Sequence, residues 1–130
     1  MSLASELVAR VQEEAARFGT EPYLLTVTPA LAPHCRVVPV NWDVQDARVV
    51  VRAPSGWPAL RACGHTSVTL LWPPTEPGGY SLIVDASADG ADPSDGVLAL
   101  AITRAVLHRA GGLGAPEDAC GSDCLPVIVT

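Results

Sequence analysis

Apolar residues near the start of the chain recur every three or four positions, which is the spacing of one face of an α-helix. The repeating positions are Leu7, Val8, Val11, Ala15 and Phe18. They predict an amphipathic helix over residues 4–18, within an N-terminal helical segment 1–20. Gly19 directly follows this stripe, and we expect the helix to end there because glycine readily adopts the conformation that ends helices.

Beyond the helix the spacing becomes alternating, and five runs rich in β-branched and aromatic residues predict strands. In chain order they read YLLTVT, HCRVVPVNWDV, ARVVVRA, TSVTLLW and YSLIVDASA. In the second run one face of the strand carries Arg36, Val38, Val40, Trp42 and Val44, and the other carries Val37, Pro39, Asn41 and Asp43. Pro39 has no backbone N–H to donate to a ladder, so it marks an edge or a bulge.

The segment 97–108, VLALAITRAVLH, fits two patterns. A helical stripe would use Leu98, Ala101, Ile102, Ala105 and Val106, whereas one strand face would use Leu98, Leu100, Ile102 and Val106. Periodicity alone leaves this choice open. The tail 111–130 starts Gly-rich and ends in the apolar LPVIVT, which we expect to dock on the body. The pattern as a whole predicts a β-rich α+β fold, a small barrel with a helix in front and a short helix between the third and fourth strands.

Composition limits the classes of function. With 130 residues, 48% hydrophobic and 17% charged, the chain has the size and apolar content of one compact domain spanning 1–130. Eight Lys and Arg against 14 Asp and Glu give a formal net charge of −6, so we expect no nucleic-acid partner. No apolar run reaches the roughly 20 residues that span a bilayer, and the N-terminus lacks a signal-peptide core. We therefore expect no membrane association and a cytoplasmic location.

Residues 53–64, APSGWPALRACG, predict a short helix, with a proline in its first turn and a glycine after its last. Exposed N–H groups at a helix start attract anions. Two interpretations stay open. The stretch either only begins a helix, with Trp57 packed on the body or on a partner chain, or it holds a phosphate. In the second case the anion is bound by Ser55, by backbone N–H groups and by Arg36 or Arg52.

Arg36 occupies an otherwise apolar strand face, where a guanidinium without a partner is costly to bury. We expect it to pair either with a carboxylate, such as Asp43 or Asp85, or with a ligand phosphate. The histidines stand apart in the sequence, at His34, His65 and His108. No nucleophile with an adjacent base is visible, so no catalytic residue is assigned.

Two of the four cysteines lie close together near the C-terminus, in CGSDC. Their spacing differs from the C-x-x-C of zinc and redox sites, and a metal would need two further ligands. Three states are open for Cys120 and Cys124: a metal site, a disulfide, or two reduced thiols in the docked tail. Because the cysteines are few and unevenly spaced, we expect reduced thiols, and no metal site is predicted.

Three stretches of the chain predict, in order, two strands, a strand–helix–strand unit and one last strand. They read PYLLTVTPALAPHCRVVPV, ARVVVRAPSGWPALRACGHTSVTLLW and ITRAVLHR. In this order about residues 5–110 resemble the FMN-binding split β-barrel of the pyridoxamine 5′-phosphate oxidase-like superfamily. The resemblance implies a six-stranded split barrel with 97–108 as its last strand. It also implies a homodimer with FMN at the subunit interface, and apolar faces around Trp42, Trp57 and Trp72 favour such a dimer.

The resemblance further implies which residues would hold the cofactor. Arg36 matches the arginine, early in the second strand, that holds the flavin phosphate, and Arg52 offers a second cation nearby. Ser55 keeps a hydroxyl after the third strand, whereas Asn41 stands where the superfamily has a lysine. The Arg-Lys pair that opens the superfamily's helix falls here at Trp57 and the proline after it.

The function implied by the resemblance is that of an FMN-dependent oxidoreductase acting on an unidentified small molecule, with the cofactor supplying the redox step. Two alternatives stay open. One is a non-catalytic binding or structural protein on the same fold whose cofactor site is eroded, and the substitutions at Asn41 and Trp57 favour it. The other is a relative that binds a deazaflavin.

Overall fold

The computed structural model of the chain describes residues 2–27, 32–52, 67–88, 96–110 and 122–127. These ranges contain one helix and eight strands. They are α1 Leu3–Ala15, β1 Tyr23–Val27, β2 Pro33–Val37, β3 Val40–Asp43, β4 Arg48–Arg52, β5 Ser67–Trp72, β6 Ser81–Ser87, β7 Val97–Ala110 and β8 Ser122–Pro126. The strand pairs are all antiparallel.

The helix α1 begins after Ser2, which caps it. The Ser2 side chain accepts a hydrogen bond from the backbone N–H of Ser5, 3.1 Å away, and so satisfies a donor that has no partner within the helix. The face toward the sheet is buried at Ser5, Val8, Val11 and Ala15. Within the described ranges, no helix is both long and apolar enough to cross a lipid bilayer.

The predicted helix over 4–18 is confirmed, but it ends earlier, at Ala15. After this point the backbone N–H of Phe18 donates to the carbonyl of Ala15, a bond across three residues that tightens the last turn. Gly19 follows with a φ of +120°, a conformation that residues with a Cβ rarely adopt. The prediction has Gly19 end the helix directly, whereas the helix ends at Ala15 and Gly19 lies beyond the final turn.

The strands form a curled antiparallel sheet in the order β2-β1-β5-β6-β7-β4-β3, and β8 also pairs with β7. The two strands at the ends of this path, β2 and β3, are separated in the chain only by Val38 and Pro39. So short a link requires the sheet to curl until its terminal strands meet, which makes a half-barrel. The helix packs against β3, β4 and β7. This arrangement confirms a β-rich α+β fold.

The prediction of six strands is not confirmed, because the described residues form eight. The run HCRVVPVNWDV is divided into β2 and β3 at Pro39, whose missing N–H interrupts the ladder. β2 pairs with β1 and β3 pairs with β4, so the one predicted strand supplies the terminal strands at both ends of the sheet. The other additional strand is β8, from the predicted tail. The predicted helix between the third and fourth strands falls within residues 53–66, outside the described residues.

Alternate residues of the strands point into the half-barrel and form its core with α1. The largest fully buried side chains of the strands include Leu24, Val49, Val51, Leu70, Trp72, Leu82, Leu98 and Leu100. Trp72 is only 1% exposed, and Trp42 is half-buried and packs against the same cluster. The expectation that Trp72 presents an apolar face to a partner chain is therefore wrong, because its ring fills the interior.

The ambiguous segment 97–108 is part of strand β7, as the resemblance implied, and a β-bulge explains its mixed pattern. The pairing of β6 with β7 shifts after Asp85, which leaves Thr103 as an extra residue. The buried inward positions of β7 therefore change from Leu100 before the bulge to Ala105 after it. A bulge breaks the two-residue period of a strand, which is why the sequence also matched a helix.

Candidate functional site

Three polar side chains share the inner face of the half-barrel where β1 pairs with β2. In the register of these strands Thr26 lies opposite His34, and Arg36 lies opposite the buried Leu24. Because alternate residues of a strand share a face, Thr26, His34 and Arg36 all project to the inner side. We call these three residues the inner polar group. These residues make one end of the inner face polar, whereas the rest of that face is apolar.

Burial within the inner polar group decreases from β1 toward the edge strand β2. Thr26 is only 4% exposed, His34 is half-buried and Arg36 is exposed. The Oγ1 atom of Thr26 is buried and has no hydrogen-bond partner among the described residues. A buried hydroxyl without a partner costs roughly 1–3 kcal/mol. A ligand group that hydrogen-bonds to Thr26 would remove this cost.

The chemistry of the inner polar group suits an anion. The guanidinium of Arg36 can donate two parallel N–H bonds to a phosphate or carboxylate, and an imidazole and a hydroxyl can each donate one more. Side chains directly opposite each other on neighbouring strands have Cβ atoms about 4.5–5.5 Å apart, so Thr26 and His34 can reach the same small group. These residues fit the phosphate end of FMN, which the resemblance assigned to Arg36.

Asn41 and Arg52, the other predicted cofactor residues within the described ranges, lie on the opposite face. Asn41 pairs with Val50 in the β3–β4 ladder, and the backbone N–H of Arg52 donates to the carbonyl of Pro39 at 3.2 Å. Both side chains are exposed, and as diagonal neighbours they lie roughly 7–8 Å apart. Since Arg36 projects inward and these two outward, the described residues do not bring the three into one phosphate site.

Two further predicted cofactor residues, Ser55 and Trp57, lie outside the described residues, as does the phosphate-binding interpretation of residues 53–64.

The expectation that the Arg36 guanidinium is buried on an apolar strand face is wrong. Arg36 is exposed because β2 is a terminal strand of the sheet, so its guanidinium keeps contact with water. The structure shows one hydrogen bond to each of the two carboxylates considered for it. Asp43 accepts a hydrogen bond from the backbone N–H of Asp46 at 3.1 Å, and Asp85 accepts one from the hydroxyl of Thr69 at 2.8 Å.

The structure shows two of the four cysteines. Cys35, in β2, and Cys124, in β8, are both exposed. Cys63 and Cys120 lie outside the described residues, so all three states of the CGSDC segment remain open. Among the residues that the structure describes, no three His, Cys, Asp or Glu side chains cluster in a way that could hold a metal ion.

A second surface, not predicted from the sequence, is the outward side of β2, β1, β5 and β6. The ladder pairings align Val37, Tyr23, Leu71 and Ile83 in one apolar row across these four strands. Val37 is 46% exposed and Tyr23 is 37% exposed. Next to this row is a cavity of ≈ 410 Å³ whose lining includes Leu25, Val27 and Thr69 of the outward side, and also Thr26 and His34 of the inner polar group. We call this surface the outer apolar face.

A sequence signal for the outer apolar face exists. In YLLTVT and TSVTLLW, apolar residues occupy both odd and even positions, so both faces of β1 and β5 are partly apolar. Antiparallel sheets with one face in water instead alternate apolar and polar residues. Thr26 carried no such signal, because a threonine within a strand is ordinary and only the burial of its hydroxyl distinguishes it.

Two curated proteins match most of the chain. Uncharacterized protein Mb0449c of Mycobacterium bovis and uncharacterized protein MT0457 of Mycobacterium tuberculosis are each 37% identical to it over 116 residues. The match covers 79% of this chain and 82% of each relative. No family model matches the chain, and no solved structure matches it significantly. From the identity and coverage, the chain belongs to the same protein family as these two mycobacterial proteins.

Proposed function

We propose that this protein is a flavin-dependent oxidoreductase that binds FMN and acts on a small molecule in the cytoplasm. The observation that carries the proposal is the inner polar group, in which Arg36 shares an inner sheet face with His34 and with the unpartnered hydroxyl of Thr26. Flavin chemistry needs few catalytic side chains, since the bound cofactor supplies the redox step and the protein supplies binding and orientation. This agrees with a sequence in which no catalytic triad is visible.

The residues of the inner polar group have separate roles in this proposal. Arg36 binds the phosphate through charge-assisted hydrogen bonds, each of which contributes roughly 1.5–3 kcal/mol. His34 and Thr26 donate further hydrogen bonds and orient the phosphate, and Thr26 gains the partner that it lacks among the described residues. The core residues beside them, such as Leu24, exclude water from this end of the half-barrel.

The topology supports the split-barrel part of the proposal. If β2 and β3 are taken as one strand bent at Pro39, and β8 as part of the tail, the sheet path contains six strands. Its two ends are then the two halves of the same strand. A helix precedes the first strand, in the order that the superfamily resemblance implies.

We further propose a homodimer formed through the outer apolar face, which places FMN, bound at the inner polar group, on the other side of the sheet and not at the subunit interface that the resemblance implies. The nine outward residues of β2, β1 and β5 carry no charged side chain: Pro33, Cys35, Val37, Tyr23, Leu25, Val27, Ser67, Thr69 and Leu71. On β6 the same face carries Asp85, which is half-buried and accepts a hydrogen bond from Thr69, so the uncharged part of the face is that of β2, β1 and β5. The chain has a formal net charge of −6, so a second copy can approach this part with the least like-charge repulsion. Four strands about 4.8 Å apart and five residues long span roughly 300 Å² of this face, which is at the lower end of the largest apolar patches on monomers, and such patches are often functional.

A second candidate function is a non-catalytic binding protein on the same fold. The observation that favours it is that Asn41 and Arg52 lie on the face opposite Arg36, which leaves one arginine at the proposed phosphate site among the described residues. A deazaflavin relative is a variant of the first proposal, since the ring changes and the phosphate contact does not.

The visible spectrum of the freshly purified protein tests these functions. Bound FMN gives bands near roughly 370 and 450 nm, and these bands should remain after gel filtration. Bands at other wavelengths would indicate a deazaflavin. A colourless protein that stays colourless after incubation with FMN and gel filtration would overturn the flavin proposal in favour of the non-catalytic one.

A further inference from the structure

A cleft of ≈ 370 Å³ lies between the end of α1 and the strand β3. Its lining includes Gln12, Ala16, Gly19, Thr20, Asn41 and Trp42. We call it the Trp42 cleft. Its volume falls in the range of about 300–1,000 Å³ that small-molecule sites occupy. Small residues at the helix end, Ala16 and Gly19, leave room beside the tryptophan ring.

The aromatic wall of this cleft is rigidly supported. The ring of Trp42 stacks on that of the buried Trp72, with centroids 6.0 Å apart and planes 17° from parallel. Trp72 is held in turn, because its indole N–H donates to the carbonyl of Gly19 at 3.0 Å. The half-buried Trp42 therefore presents an aromatic surface that has little freedom to move. Such a surface favours a planar ligand in an offset stack.

The open edge of β3 adds backbone hydrogen-bonding groups to the cleft. The hydrogen bond from the backbone N–H of Arg52 to the carbonyl of Pro39 shows which residues of β3 direct their backbone N–H and C=O groups toward β4. In an antiparallel ladder alternate residues bond to one neighbour, so the backbone groups of Val40 and Trp42 point away from β4. The N–H of Val40 donates to the carbonyl of Thr20 at 3.3 Å, and Thr20 lines the cleft. The backbone N–H and C=O of Trp42 lie at this same edge, where they offer a ligand one hydrogen-bond donor and one acceptor.

The lining of the Trp42 cleft carries no charged side chain among the described residues, and its polar side chains are two amides and one hydroxyl, on Gln12, Asn41 and Thr20. A charged ligand would lose water there without meeting an opposite charge. We infer that this cleft binds a neutral, planar heterocycle that carries a lactam or amide edge. The ring stacks on Trp42, and the edge exchanges hydrogen bonds with the backbone of β3 and with Asn41, which projects outward from this edge strand and also lines the cleft.

This second site does not rest on the proposed phosphate contact. The Trp42 cleft lies at the end of α1, whereas Arg36 lies on β2, and a ligand without a phosphate has no need of Arg36. A probe without a phosphate therefore tests the cleft whatever the outcome of the FMN experiments.

The probe is neutral lumazine, a two-ring lactam, titrated into the full chain with its fluorescence anisotropy recorded. We expect saturable binding, weakened about tenfold or more by Trp42→Leu and about three- to tenfold by Asn41→Ala. Asn41 is exposed, so Asn41→Ala keeps the test valid even where Trp42→Leu fails to fold. Tyr80→Leu, which changes a half-buried aromatic residue outside the cleft lining, is the matched control and should bind as the wild type does.

Naphthalene has a similar two-ring shape without the lactam groups, and its competition with lumazine should be at least about tenfold weaker. Three results would overturn the inference. They are the absence of saturation at millimolar lumazine, equal binding by wild type and Asn41→Ala, and competition by naphthalene as strong as that by lumazine itself.

Discussion

The indole N–H of Trp72 donates a hydrogen bond to the carbonyl of Gly19, with 3.0 Å between nitrogen and oxygen. The two residues are far apart in the chain, Trp72 at the end of β5 and Gly19 just after α1. The bond therefore ties the position of the helix to the sheet. It also orients the ring on which Trp42 stacks.

Trp72→Phe should lower the free energy of unfolding by about 2–3 kcal/mol. The substitution removes this hydrogen bond, worth roughly 1 kcal/mol, and leaves a small cavity in the core. Urea titration followed by circular dichroism measures the change. Leu3→Ala is the control, since Leu3 is 76% exposed and its truncation should cost less than about 0.5 kcal/mol. Equal free energies of unfolding for Trp72→Phe and Leu3→Ala would show that the Trp72 hydrogen bond does not stabilise the fold.

Thr26→Val should raise the free energy of unfolding by about 1 kcal/mol, because valine has the same shape and removes a buried hydroxyl without a partner among the described residues. The matched control is Thr69→Val. There the hydroxyl donates to Asp85 at 2.8 Å, and its removal should lower stability by about 1–2 kcal/mol. Thermal unfolding of both variants gives the comparison. A loss of stability in Thr26→Val as large as that in Thr69→Val would mean that Thr26 already has a partner.

The proposed homodimer predicts about twice the chain mass of 13.5 kDa by light scattering at micromolar concentration. Val37→Glu should shift the mass to that of a monomer, because it places a charge in the apolar row of the outer face. Leu3→Glu also charges an exposed apolar position, on α1 away from that face, and should remain dimeric. A wild-type monomer, or a dimer in both variants, would contradict the assignment of this face.

The double substitution of Cys120→Ser and Cys124→Ser should change the free energy of unfolding by less than about 1 kcal/mol, as expected for reduced thiols in the tail. Cys124 is exposed in β8, which agrees with this expectation. Thermal unfolding with and without a reductant measures the effect. Loss of bound zinc, or a large fall in melting temperature, would instead favour one of the other two states of the CGSDC segment.

Features set by local periodicity could be predicted from the sequence. The helix follows from the apolar stripe through Val8 and Val11, and both residues are buried as that stripe requires. The alternation in the run around Pro39 correctly separated the buried Val38 and Val40 from the exposed Asn41. In each case the spacing along the chain alone decides which side of an element meets the core.

Features set by long-range pairing could not be predicted. The sequence marked Pro39 as an interruption, but only the pairing of β2 with β1 and of β3 with β4 shows that it joins the two ends of the sheet. Arg36 occupies a core-facing position and is nevertheless exposed, because its strand lies at an end of the sheet path. Thr26 became a candidate only when its burial showed that its hydroxyl had no partner among the described residues.

In the proposed function Arg36 holds the phosphate of FMN. Calorimetric titration of FMN into the wild type, Arg36→Ala and Arg52→Ala tests it most directly, since both arginines are exposed and they lie on opposite faces of the sheet. Loss of a charge-assisted contact should weaken binding by about 10- to 150-fold in Arg36→Ala. Arg52→Ala should stay within about threefold of the wild type. Equal affinities for wild type and Arg36→Ala, or a larger loss in Arg52→Ala, would contradict the claim.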